Sequence, residues 1–395
     1  MATNKQFQKF LRLDDDETEK VFIGTVAVYD VVPELKNIGA KRILILCDGL
    51  TRRQREFEIL VGRYKEAGFR VFVYCRVDST TTDRDVDGGL KIYKEYNCDT
   101  IIVIGGNADI NCAKLVAVRA SNPDKPLSYF VGIDRVKYRL PNIICLATTP
   151  TTSISDCFAE YYDTDENTWN QIISNNLIPT IALLGSSLFV RNSIEEIRKN
   201  ILMCFCVAIE SYIDSNEDEY FEYKAGSINA CLELFNSVDK FYNDISNSYY
   251  QEKLLVGGFY AGVASRKSGM GLTKIILNTI TNVYGMDSGV VLDSLFPTII
   301  QSISATRKER IANLSRSTYF STKSSDDNSA AQAFIDSVVR VFQRASNTSK
   351  DKFRIYRKDI DKMVAMINKE LVVYGLSDII STQNLYQLLL AFSES

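Results

Sequence analysis

The part of the chain best suited to holding a phosphate is DTIIVIGGNADINCAK, residues 99–114, where an apolar run ends in two glycines and passes into a helical pattern. Gly105 and Gly106 let the backbone approach a ligand closely. The helix that follows offers free N–H groups and the positive end of its dipole. Such a turn suits a pyrophosphate and serves equally well as a tight strand–helix connection. What the chain lacks is as informative: it has no histidine. That excludes Ser-His and Cys-His nucleophiles and every imidazole metal ligand, and it leaves Ser153 and Ser155 without a base. The nine cysteines are odd in number and contain no C-x-x-C pair. Several sit in apolar runs such as RILILCD and NIICLA, which predicts reduced, buried thiols. Cys204 and Cys206, at i and i+2, do not share a helix face.

The elements that must position these residues follow from the hydrophobic pattern. The chain has 395 residues, 46% hydrophobic and 24% charged, with a net charge of −3. This is globular composition without the basic field that nucleic acid or an anionic membrane would need. The polar, acidic N-terminus is neither a secretory signal nor a transit peptide. No run reaches the roughly 18 apolar residues of a membrane span. A cytoplasmic protein with no nucleic-acid or membrane partner is expected. The acidic quartet at 14–17 and the TRRQRE run read as solvated faces. Apolar strands are predicted at 41–48, 69–77, 99–106, 141–150 and 178–185, with helices between them, among them 52–68. Fully apolar strands alternating with helices indicate a parallel sheet covered on both sides. Beyond residue 188 the period is helical at 193–214, 226–247, 251–266, 290–305, 329–345 and 358–371, with loops at 324–329 and 345–352. The expected organisation is a flexible tail over 1–20, a Rossmann-like α/β domain over 21–187 and an all-α domain over 188–395.

The order and spacing of several short segments resemble the iron-containing (group III) alcohol dehydrogenases and the related dehydroquinate synthase fold. The family run G-G-G-S-x-x-D-x-A-K is matched by Gly105, Gly106, Asn107, Ala108, Asn111, Cys112, Ala113 and Lys114. P-T-T appears as Pro150-Thr151-Thr152, and I-P-x-x-A-x-x-D as IPTIALLG. The metal-domain segments align with Met203 through Tyr212 and with residues 261–297. The resemblance implies an α/β nucleotide domain plus a helical metal domain, with the site in the cleft between them. It also implies NAD(P) held by Asp48, Gly105, Gly106, Asn107, Ala108, Asn111, Lys114, Thr151 and Thr152. Asp48 falls where family members carry an Asp that meets the adenosine ribose, and it equally suits a helix N-cap. Ile154, in a run that is small in the family, is expected to crowd the dinucleotide.

In that family one Asp and three His hold a divalent metal. Here those positions carry Met203, Val207, Lys274 and Ser288, and a further family His falls on Asn278. A thioether is a weak soft ligand, valine is none, and an ammonium repels a cation. No metal is expected, and with it the Lewis acid that polarises the substrate oxygen is lost. Three readings follow. One is a pseudoenzyme that binds a nucleotide or phosphate ligand. Another is a metal-independent enzyme acting on a small carbonyl, polyol or sugar phosphate. In it Lys274 replaces the metal charge or acts as base or Schiff-base nucleophile, with Asp287 and Asp293 as candidate partners. The last is a homodimer or partner subunit, with Tyr-rich patches at 219–224 and 247–253 as anchors.

Overall fold

The computed structural model describes residues 9–13, 17–24, 31–76, 80–189, 194–214, 221–268, 271–346 and 353–394. It divides into two compact units, Met1–Asn192 with Lys240–Gly262, and Ser193–Asp239 with Val263–Ser395. A single cut at 187/188 does not accommodate this division, because residues 240–262 belong with the α/β unit.

Among the described residues of the first unit ten strands occur: β1 (Lys9–Leu13), β2 (Glu17–Ile23), β3 (Arg42–Cys47), β4 (Arg70–Cys75), β5 (Thr100–Gly105), β6 (Gly132–Ile133), β7 (Asn142–Ala147), β8 (Phe158–Asp163), β9 (Thr168–Ile173) and β10 (Ile181–Leu184). Seven of them form one sheet in the order β1-β2-β10-β7-β5-β3-β4. All its pairs are parallel except β1–β2. The central strands are buried on both faces, which is why they read as unbroken Ile, Val and Leu runs. Helices α1 (Val32–Asn37), α2 (Gly49–Arg52), α3 (Arg55–Glu66), α4 (Asp83–Glu95) and α5 (Asn107–Ser121) lie between the strands. Phe57, Leu60 and Tyr64 of α3 join Ile43, Ile45, Ile102 and Ile144 in the core on one side of the sheet.

Three expectations change. The supposed tail supplies β1 and most of β2, the described part of 1–20; residues 1–8 and 14–16 lie outside the described residues. The helix expected at 52–68 is α3 and starts later, at Arg55, because Gln54 is extended at φ −76°, ψ 141°, while Arg52 ends the separate short helix α2. The hairpin of β8 and β9, which pairs with β6, fills the stretch between 150 and 178 to which the sequence pattern assigns no element.

Further helices are α6 (Ile194–Asp214), α7 (Phe221–Asn243), α8 (Ser248–Ser268), α9 (Leu272–Tyr284), α10 (Ser288–Ile303), α11 (Lys308–Ser317), α12 (Asp327–Ser346), α13 (Ile360–Val373) and α14 (Thr382–Leu390). In the second unit α10 packs against α6, α9, α12 and α14. Its burial is nearly continuous along one face, from Val291 through Leu295 and Ile299 to Ile303. Of the expected loop at 345–352, residues 347–352 lie outside the described residues, as do residues 219 and 220 of one Tyr-rich patch.

Candidate functional site

In the first unit the chain reverses its direction of travel across the sheet at one point. β3 leads to β4 on one side, and β5 then returns to pair with β3 on the other. In an open parallel sheet the carboxyl ends of strands diverge at such a reversal and leave a crevice for a ligand. The register sets what lines it. Cys47 pairs with Ile104 and Gly105 pairs with Ala147. Asp48, Gly106 and Thr148 therefore emerge from neighbouring strand ends.

The glycine turn has an internal reason as well as a possible external one. A Cβ on Gly105 would stand 2.2 Å from Asp109 Oδ2. That carboxylate accepts from the Gly106 N–H at 3.1 Å and from Arg76 Nε at 3.0 Å. Burial pushes Asp109 up to about 6, opposed by the Arg76 guanidinium and reinforced by the nearby Asp48 charge. Gly106, Asn107 and Ala108 are half-buried and form the part of the turn that meets solvent. The Ala108 carbonyl accepts from Thr81 Oγ1 at 2.7 Å, which anchors the helix start.

Several of the residues expected to hold a dinucleotide are turned inward. Lys114 is fully buried, and its ammonium donates to Asp156 Oδ1 at 2.7 Å, to the Asp156 carbonyl at 2.8 Å and to the Phe158 carbonyl at 3.0 Å. Its three protons are spent on the protein. Asn111 and Thr151 are buried. Thr151 Oγ1 donates to Asn107 Oδ1 at 3.4 Å, and Ser153 Oγ donates to the same oxygen. Thr152 is half-buried and donates to Asp156 Oδ2 at 3.0 Å. Ile154 is fully buried in the protein and does not stand in the crevice. Asp48 is half-buried and caps the short helix α2, accepting from the Thr51 N–H at 2.6 Å. It caps α2 rather than a helix over 52–68, and its carboxylate stays at the crevice edge.

The residues that fix this arrangement were partly legible. Asp109 sits at the third helical position after Gly106, which is a capping-box spacing. The partners Arg76 and Asp156 lie 33 and 42 positions from Asp109 and Lys114, and no local signal reveals them. Gly258 and Gly262 on α8 carry a further signal. Added Cβ atoms there would meet Thr151 N at 2.7 Å and the Thr152 carbonyl at 2.2 Å, so the loop after β7 rests directly on the helix backbone. Ser155 Oγ completes the seam by donating to the Phe259 carbonyl at 2.6 Å.

In the second unit, Met203 and Val207 share the half-buried stripe of α6, and Lys274 and Asn278 share that of α9. Ser288 opens α10, just after Asp287. A thioether, a methyl pair, an ammonium and a hydroxyl make a poor donor set for divalent iron or zinc. Among the described residues no group of three or more Cys, Asp or Glu is placed to hold a metal. The aspartates considered as partners for Lys274 are occupied elsewhere. Asp287 accepts from Gly289 N–H at 2.8 Å and Val290 N–H at 3.3 Å, and Asp293 pairs with the buried Arg198. Glu210, fully buried, accepts from Thr273 N–H at 2.8 Å and Oγ1 at 2.7 Å and so fixes the start of α9. Burial pushes it up to about 7, against those two hydrogen bonds.

The profile of the iron-containing alcohol dehydrogenases matches residues 18–186, and that of the C-terminal domain of the Fe-containing alcohol dehydrogenase family matches 202–389. An NAD-dependent methanol dehydrogenase of Bacillus methanolicus is 24% identical over 293 residues, 74% of this chain and 76% of that protein. A 1,3-propanediol dehydrogenase of Citrobacter freundii is 22% identical over 324 residues, 81% and 83% of the two chains. A crystallised 1,3-propanediol oxidoreductase superposes with a TM-score of 0.84 at 19% identity, covering 96% of this chain and 100% of that one. An alcohol dehydrogenase from Oenococcus oeni superposes with the same TM-score at 18% identity, covering 98% and 100%. At these identities the superpositions speak for the fold alone.

Proposed function

The chain belongs to the iron-containing alcohol dehydrogenase family, and we propose that it is a non-catalytic member, binding a nicotinamide dinucleotide or a related phosphorylated ligand without metal-assisted hydride transfer. The observation that carries this reading is the donor set. The family's metal positions hold Met203, Val207, Lys274 and Ser288, in a chain with no histidine at all. Lewis-acid polarisation of an alcohol oxygen is worth several kcal/mol, and each ~1.4 kcal/mol lost is tenfold in rate. Nothing in this set replaces it.

Binding is supported by the strand-end crevice at the reversal point. There Asp48 offers a carboxylate to a hydroxyl-bearing ring, and the half-buried Gly106–Ala108 backbone starts a 15-residue helix. An anion at that start gains from the helix dipole. The relatives named above include an NAD-dependent enzyme, which makes a dinucleotide the first ligand to try. The test is calorimetric titration with NADH, NADPH and ADP-ribose, alongside NAD-linked oxidation of methanol and 1,3-propanediol. Saturable binding without turnover is expected. Turnover at rates ordinary for a dehydrogenase, about 1 s⁻¹ or more, contradicts the reading, as does failure of all three ligands to bind.

A further inference from the structure

Eight of the nine free thiols are buried, and the exception, Cys75, is half-buried. Cys75 ends β4, and its register partner on β3 is Cys47, which ends that strand. Both side chains point to the same side of the sheet. Cys47 belongs to the core cluster with Ile43 and Ile45, and Val71 and Val73, which alternate in step with Cys75, pack against that cluster. The Cys75 thiol donates to the Arg76 carbonyl at 3.9 Å, and no other strand lies between it and Cys47. In-register residues on adjacent strands stand about 4.8 Å apart, inside the roughly 4.4–6.8 Å Cα separation of a disulfide. β4 is the edge strand of the sheet, and only one neighbouring strand resists a small closing movement at its end.

We propose that Cys47 and Cys75 form a thiol-modification site, a dithiol that exchanges with small disulfides of the glutathione disulfide class to give a Cys47–Cys75 cross-link. The half-buried Cys75 thiolate attacks one sulfur of the reagent. The reagent's S–S bond breaks, and one glutathione leaves as thiolate and takes a proton. The Cys47 thiolate then attacks the Cys75 sulfur of the mixed disulfide and expels the second glutathione. Two protein thiols are oxidised and one glutathione disulfide is reduced to two glutathiones. The charged groups facing the pair are Asp48 after β3, Arg52 on α2 and Asp109 on α5. Burial raises Cys75 above the ordinary thiol value, Asp48 and Asp109 add to this, and Arg52 and the Cys47 contact oppose it. Exchange is therefore slow at neutral pH and follows the thiolate fraction, rising about tenfold per pH unit from 7 to 8. The cross-link would tie together the strand ends directly before Asp48 and Arg76, and Arg76 holds Asp109 under the glycine turn. This proposal does not depend on what the crevice binds.

The experiment treats the full chain with glutathione disulfide at pH 7 and pH 8, removes the reagent, unfolds the protein in guanidinium with iodoacetamide present to block the remaining thiols, and maps tryptic peptides by mass spectrometry. The expected product joins peptide 43–52 to peptide 71–76, about tenfold faster at pH 8, with the other seven cysteines alkylated. Cys47→Ala should stop at a glutathione adduct on Cys75, and Cys75→Ala should leave Cys47 unmodified. A wild-type reaction that halts at the Cys75 adduct overturns the proposal. So does a reaction that reaches other cysteines first, or leaves this pair reduced while the reagent is in large excess.

Discussion

In a chain without histidine, side chains that change stability between pH 5 and 8 are ones that normally titrate elsewhere, and burial raises the carboxyls of Asp109, Asp214 and Glu210 toward or into that range. The Glu210 carboxyl is fully buried, and burial raises it from 4.5 to about 7. At about 1.4 kcal/mol for each tenfold change, ionising it in the folded state costs about 3 kcal/mol relative to the unfolded chain. The sign follows from the folded value lying above the unfolded one. The contribution is fully present below about pH 4.5 and is lost as pH rises through about 7. Glu210→Gln keeps an oxygen for the Thr273 N–H and hydroxyl while removing the ionisable proton. Urea unfolding of both proteins, followed by far-UV circular dichroism between pH 4.5 and 8, measures the difference directly. Wild type should lose about 3 kcal/mol more than the variant over that interval. Parallel pH profiles would show that the buried carboxyl is already compensated and that this reasoning is wrong.

Lys114→Met leaves Asp156 buried without its cation, and loss of one partner of a buried pair costs about 3–5 kcal/mol, readable as a drop in the urea midpoint. The double variant Lys114→Met/Asp156→Leu should recover part of that loss. Gly262→Ala forces a methyl to within 2.2 Å of the Thr152 carbonyl and should destabilise by about 1–3 kcal/mol. Gly62→Ala on α3 meets nothing within 4 Å and should stabilise by up to about 1 kcal/mol through helix propensity; equal effects of the two would refute the packing account. Asp48→Ala removes the α2 cap and should cost about 0.5–2 kcal/mol, with a larger proportional loss in NADH affinity than Leu50→Ala, which alters an exposed side chain of the same helix.

The sheet was readable because strands buried on both faces show as unbroken apolar runs, and β3, β5, β7 and β10 were visible for that reason. Strands β1, β2, β8 and β9 were not. KFLRL and FAEYYD mix charge with apolar residues and take their structure from pairing partners rather than from pattern. Helix α9 was hidden because its start is set by Glu210, 63 positions before Thr273. At the site, Gly105 and Gly106 were legible as a turn, yet the tight approach of Asp109 that requires Gly105 was not. Lys114 shows the converse. Its position in a family-like run marked it for a ligand, and its burial against Asp156 gives all its protons to the fold.

The central claim is that the helical unit lacks the donors to grip a divalent metal. Its most direct test is inductively coupled plasma mass spectrometry of the protein purified without chelator, incubated anaerobically with Fe(II) or Zn(II) and desalted. Iron and zinc should stay far below one per chain, at the level of Met203→Ala and Lys274→Ala controls. One metal per chain that survives desalting and falls in either variant would contradict it.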